Sequence, residues 1–190
     1  IVVNVDGFDL KSAERFPLLT NDSLIVDSPI SVVGAVGAKI DTSGHITATD
    51  TIFINTSTSD LAIRHLDTAM QKIDALSASA LSSPLEGQSL SDGVYRIATN
   101  ATLDGILILS GTSSTYIVID INGNLNLDDG SVIQLDGITW NQVFIRCVNL
   151  NITGSAVLSG IFLLSGSSIG NVSAGDFQIL ANGKIKGEFN

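Results

Sequence analysis

The sequence predicts a mainly β fold of stacked coils, a β-solenoid, interrupted by one long amphipathic α-helix. Three observations predict it. From Asp92 to Asn190, short runs of Ile, Val and Leu are cut every few residues by Gly, Ser, Asn or Asp, as in GVYRI, GILILSG and SAVLSGIFLLSGSSIG. Between Thr58 and Ser77 the apolar spacing changes to that of a helix. Asn124-Leu125-Asn126-Leu127-Asp128 recurs 25 residues later as Asn149-Leu150-Asn151-Ile152-Thr153, with apolar and polar residues alternating in both.

Each zone has its own physical reason. Residues 1–57 hold irregular β-like runs with turns signalled at Asp27-Ser28-Pro29, Gly34, Gly37 and Ser43-Gly44, and read as the first coils. In the helical zone Ala62, Leu66, Ala69, Met70, Ile73 and Leu76 share one stripe, while Arg64, Asp67, Gln71, Lys72 and Asp74 fall off it. Ser57, Thr58 and Ser59 offer N-caps, and Asp60 suits the positive end of the helix dipole. A polar linker with Pro84 and Gly87 leads back to β structure at Gly93. In the coils that follow, Leu125, Leu127, Leu150 and Ile152 are expected to face the core and the Asn residues to face out. Residues 1–190 form one domain in this reading.

With 190 residues and 44% apolar content the chain has ample material for a core. Nine Lys and Arg stand against nineteen Asp and Glu, a net charge of −10, and only Arg96 and Arg146 lie between Lys72 and Lys184. That lack of clustered positive charge excludes sequence-independent binding to nucleic acid or to an anionic membrane. The lone Cys147 has no disulfide partner within the chain and no second thiolate for a metal, and reads as an inert buried thiol. The most apolar region, Ala156 to Leu164, is broken by Ser159 and Gly160, so membrane insertion is not expected. The start at Ile1, with neither Met nor a charged-then-apolar leader, suits a mature chain trimmed of its targeting segment.

Catalysis has little to work with. The two histidines are His45, in a turn, and His65, on the helix; there is no G-x-S-x-G elbow and no H-E-x-x-H pair. Asp104, Asp120, Asp128, Asp129 and Asp136 could supply acids to a solenoid polysaccharide lyase, but the coils offer almost no basic partner, and these residues read as corners. The run Asn124-x-Asn126-x-Asp128-Asp129-Gly130 lacks the bidentate Glu of a calcium loop, so its Asn side chains read as solvated groups at a corner. Trp140, Tyr95 and Tyr116 are too dispersed for a sugar platform, and Trp140 reads as packing. No enzyme activity, cofactor or metal is expected.

The ordered set of motifs resembles the microbial ice-binding proteins. It comprises a Gly44-His45-Ile46-Thr47-Ala48-Thr49-Asp50 approach to one long helix, GVYRI from Gly93, and the coil Thr102-Leu103-Asp104-Gly105 with Ile106 to Gly111. A Gly130-Ser131-Val132 coil, a Gln142-Val143-Phe144 strand and Leu180-Ala181-Asn182-Gly183 follow. The likeness runs from about Phe16 to Gly187. Gly34-Ala35-Val36-Gly37 stands where the family has its G-D-L/I-G-V coil, Asp60 to Ala69 stands where the family helix carries its A-D-L-x-x-A-Y pattern, with Leu66-Asp67-Thr68-Ala69-Met70 here, and Ser91-Asp92-Gly93-Val94-Tyr95 replaces its P-G-V-Y. The resemblance implies a right-handed β-solenoid of triangular section with the helix, here about residues 58–77, laid against one side.

For function the resemblance implies a secreted or cell-surface protein, expected as a monomer, that adsorbs to ice through one flat solenoid face. Many members mark that face with T-A/G-x-T/N. Here Ser stands where Thr is wanted, and a Ser hydroxyl lacks the methyl group and restricted χ1 of Thr, which predicts a less ordered surface and moderate activity. By position the expected contacts are Ser28, Ile30, Ser131, Ile133, Ser155, Val157 and Ser173. Asn124, Asn126, Asn149, Asn151 and Thr153 form a rival face. The alternative function is an extracellular adhesin or surface interaction module that keeps the fold, lacks ice activity and binds a glycan or a protein.

Overall fold

The computed structural model describes residues 10–26, 30–41 and 46–189. The turns expected at Asp27-Ser28-Pro29 and Ser43-Gly44, and His45, lie outside these residues. The chain winds as a parallel three-faced β-solenoid. Every paired strand runs parallel, and one face is covered by the helix.

The helix-covered face is a sheet of nine strands among the described residues. In stacking order they are Ile52–Ile54, Val36–Ala38, Leu18–Thr20, Phe177–Ala181, Gly160–Leu164, Val143–Cys147, Ile117–Ile121, Gly93–Ile97 and Ser79–Ala80. Chain order and stacking order therefore differ. The last coil sits on the first, with Leu18 opposite Ile179 and Thr20 opposite Ala181. Strand Ile52–Ile54 is at one end of the sheet and Ser79–Ala80 at the other. Crossing eight strand spacings requires about 38 Å. The helix, Ser57–Asp74, supplies about 27 Å of this, and the residues after it supply the rest.

Helix bounds follow from capping. The sequence places the start at Thr58 and the end at Ser77, whereas the helix starts one residue earlier and stops at Asp74. Thr56 is the cap: its Oγ1 accepts the Ser59 N–H at 3.2 Å while Ser59 Oγ accepts the Thr56 N–H at 3.1 Å. The predicted stripe is correct, with Ala62, Leu66, Ala69, Met70 and Ile73 buried, Ile63 joining them, and Leu76 packed beyond the last turn. These residues meet Leu19, Val118, Phe144, Ile161, Leu163 and Leu180. Strands of this sheet are thus covered on both sides, which is why Ile117–Ile121 and Gly160–Leu164 read as unbroken apolar runs.

One polar group interrupts that layer. Asp120 reads from sequence as a corner residue, but it lies within strand Ile117–Ile121, fully buried, with Arg96 and Arg146 as its neighbours in register. Its two carboxylate oxygens each accept an Nε–H at 2.6 Å, one from Arg96 and one from Arg146. The other arms of the guanidinium groups reach the helix C-terminus: Arg96 donates to the Ile73 carbonyl at 3.1 Å, and Arg146 to the Met70 carbonyl at 2.9 Å and to Asp74 at 2.5 Å. Two cations thereby add charge-assisted bonds to carbonyls at the negative end of the helix dipole, and one buried anion fixes both cations.

Inside the solenoid, Leu125, Leu127, Leu150 and Ile152 stack inward as the alternation predicts, with Leu24, Leu103, Leu107, Ile133, Phe162 and Ile185 in the same core. Leu81, Leu85 and Leu90 pack against it at the Ser79–Ala80 end. At the corners, backbone N–H groups that leave the ladders need acceptors. An Asn, Asp or Ser on the coil below supplies them: Asn100 accepts from the Asn124 N–H, Asn149 from Ser167, Ser167 from Lys184, and Asp92 from Tyr116, at 2.8 to 3.0 Å.

Removing Asp120 leaves two arginines facing a sheet that is buried around them. Asp120→Ala is expected to cost about 3 kcal/mol or more, which is about 10 °C in melting temperature for a chain of this size; thermal unfolding followed by circular dichroism checks it. Cys147 faces the core, and burial pushes its thiol up to about 12. The native protein is therefore expected to show no reaction with a thiol reagent at pH 8, and full reaction in denaturant.

Candidate functional site

Two faces are left free of the helix. Both come from one sheet, since strands Leu150–Val157 and Ser168–Ala174 cross a corner and serve both. The second face carries an outward row that reads Thr102, Asn126, Asn151, Ile169, Lys186 and Ile25 in register. Asn151 donates from its amide to Asn126 at 2.9 Å. The amide ladder ends at Ile169, and Lys184 and Lys186 follow in the last coil.

The third face has a different chemistry. Ile106, Val132, Val157 and Ala174 lie opposite one another and point outward. Beside them run Ser89, Ile108 and Gln134, then Ser110 and Asp136. Ser155 stands opposite Asn171. Ile106 opens strand Ile106–Ser110 and is 46% exposed, while Leu107 and Leu109 of the same strand are buried. No Lys or Arg belongs to the described strands of this face, and its acidic groups are at the edges, at Asp136 and at Glu188.

The residues expected from sequence divide unevenly. Ser155, Val157 and Ser173 lie on the third face; Ser155 and Val157 are half-buried and Ser173 is exposed. Ser131 and Ile133 point inward instead. Ser131 is buried and donates its hydroxyl to the Leu103 carbonyl at 2.6 Å, and Ile133 belongs to the core. Matching the two Gly-Ser dipeptides set these coils one residue out of step. The observed register puts Ser131 level with Ala156 and Val132 opposite Val157, which is the 25-residue spacing of the Asn-Leu-Asn echo carried through the corner. That spacing is the signal that could have found Val132. Ile106 and Ala174 had no motif to mark them.

Ile30 belongs to strand Ile30–Val32, which pairs with Ile46–Ala48, and Ser28 lies outside the described residues. In the rival set, Asn126, Asn151 and Thr153 face outward, whereas Asn124 and Asn149 bond to each other at the corner, at 2.9 Å.

Elsewhere, His65 is occupied by Ser12, whose hydroxyl lies 2.6 Å from Nδ1. Among the described residues no three His, Cys, Asp or Glu side chains form a group that could hold a metal. No described helix is long and apolar enough to cross a membrane.

Comparison with known proteins gives the same architecture. An ice-binding protein from the Antarctic ascomycete Antarctomyces psychrotrophicus superimposes with a TM-score of 0.87 at 24% identity, over 95% of both chains. An ice-binding protein from an Antarctic biological consortium gives 0.88 at 21% identity, over 99% of this chain and 90% of that one. The corresponding domain of a Shewanella frigidimarina ice-binding protein gives 0.77 at 15% identity, over 95% and 94%. No curated protein sequence matches the chain. At these identities the structures establish the fold. The sequence profile described as ice-binding-like matches residues 20–186, most of the solenoid and the helix, and the chain belongs to that family.

Proposed function

We propose that the protein adsorbs to ice through its third face, with no chemical step, and so slows ice growth and recrystallisation. The observation that carries this reading is the outward row Ile106, Val132, Val157 and Ala174, held in register and free of charge. Parallel strands repeat about every 4.8 Å, so one side chain per strand forms a regular array. Methyl groups along the row leave the adjoining water free to order, while Ser155 and Gln134 offer hydrogen bonds beside it and Ser173 donates its hydroxyl to the Ala156 carbonyl at 3.1 Å. Each contact is weak, and a rigid array adds them without a further ordering cost.

Charge decides between the two free faces. An ammonium group holds its own hydration shell and does not surrender it to an ice-like layer. Lys186 places such a group in the amide-ladder row and Lys184 another at its corner, whereas the described strands of the third face carry none. Hydroxyls from Ser in place of Thr give the face fewer methyl groups, which supports moderate activity. Family membership supports ice as the partner; a secreted or cell-surface setting and a monomeric active unit are part of the same proposal.

Thermal hysteresis and recrystallisation inhibition test the reading. Native protein is expected to show both and heat-unfolded protein neither. Val157→Tyr, which raises a ring from the middle of the row, is expected to remove most of the activity at an unchanged melting temperature. Ile169→Tyr, on the amide-ladder face, is expected to keep it. The reverse pattern transfers the site to the ladder face. Silence of the native protein at high concentration points to a surface-adhesion module instead.

A further inference from the structure

The third face is stitched together unevenly. Strand Ile106–Ser110 pairs with Val132–Asp136 over five residues, but Val132–Asp136 pairs with the next strand only at Val132 and Val157. The row that we assign to ice therefore consists of two halves, Ile106 with Val132 and Val157 with Ala174, joined through a single ladder position. On the second face the same two coils are laddered at Leu125–Leu150, Asn126–Asn151 and Leu127–Ile152, and a contact at the corner carries that alignment onto the third face. There Asp129 Oδ1 accepts the Ser155 N–H at 2.9 Å, and the Ser155 carbonyl accepts the Gly130 N–H at 2.8 Å.

The neighbouring residue is fitted to this contact. Gly154 has φ +79°, and a Cβ there would overlap the Asp129 carboxylate. A side chain at 154 would expel the acceptor from the place where it meets Ser155, so the glycine keeps the corner open for it. On the far side of the same strand the register slips between Ala156 and Val157, so the row reaches Ala174 through an irregular ladder.

We propose that Asp129 is a positioning residue for ice adsorption: standing outside the outward row, it sets the alignment of the two halves of the third face through the Ser155 amide. The proposal rests on the reading of that face given above. The group required is the acceptor oxygen, and the negative charge plays no part.

Asp129→Ala removes the acceptor and Asp129→Asn retains it. Asp129→Ala is expected to lose most of the thermal hysteresis while melting close to the parent, and to speed amide exchange at Ser155 and Val157 but not at Ile145 in the core. Asp129→Asn is expected to restore parental hysteresis and exchange. Val157→Tyr runs in the same assay. If Val157→Tyr is silenced and Asp129→Ala is as active as the parent, the positioning role is overturned and the face stands. If Asp129→Ala and Asp129→Asn are equally impaired, charge matters and the acceptor role is overturned. Loss of the whole cooperative transition in Asp129→Ala makes the residue a requirement for folding and likewise overturns the proposal. Full activity of Val157→Tyr removes the face reading and the proposal with it.

Discussion

The pairing of the last coil with the first is the constraint from which the rest follows. Phe177–Ala181 must find Leu18–Thr20, and Ile185–Gly187 must find Ser23–Val26, across most of the chain's length. Because the first coils thus take their place beneath the last, the chain has to travel from one end of the stack to the other before it resumes winding. A helix is the economical connector, since it satisfies its own backbone and offers one apolar stripe to the sheet that it crosses. Pairing across so long a separation carries a high loop-closure cost.

The helix then determines where function can be. It takes one face of three and brings the two arginines of the coil region onto its own C-terminus, with Asp120 between them. The coils from Gly93 to Gly183 are thereby left with no free basic group on either exposed face. Corner Asn, Asp and Ser residues are likewise engaged in accepting backbone N–H groups from the coil above. Polar chemistry is spent on architecture, and a nearly uncharged row of small aliphatic groups is what remains outside. For most soluble proteins such a surface is a liability, and its regular repetition here is the feature that calls for a functional explanation.

Much of this was legible in the sequence. Alternation in Asn-Leu-Asn-Leu and the 3.6-residue stripe from Ala62 to Ile73 depend only on local periodicity, and both were placed correctly. The helix ends were less legible because Thr56 competes as a cap with three hydroxyl neighbours, Ser57, Thr58 and Ser59, and because the arginines that bond to the last turn come from other coils. Asp120 looked like a corner for the same reason: the partners that justify burying it are 24 and 26 residues distant, and only the coil register brings them level. For the site, residue type was a poor guide and phase a good one. Ser131 and Ser155 follow glycine in the same way, yet one faces the core and the other the outside, since inward or outward direction is set by position within the coil.

The central claim is that a folded solenoid face, and no other property of the chain, engages ice. Its most direct test is to freeze fluorophore-labelled protein, coupled through its amines because Cys147 is buried, into a growing single-crystal ice hemisphere and to image it under ultraviolet light. Adsorption predicts that label enters the ice and marks particular crystal planes, while the heat-unfolded sample is swept into the remaining liquid. Exclusion of the native protein from the ice, indistinguishable from that of the unfolded chain, would contradict the account.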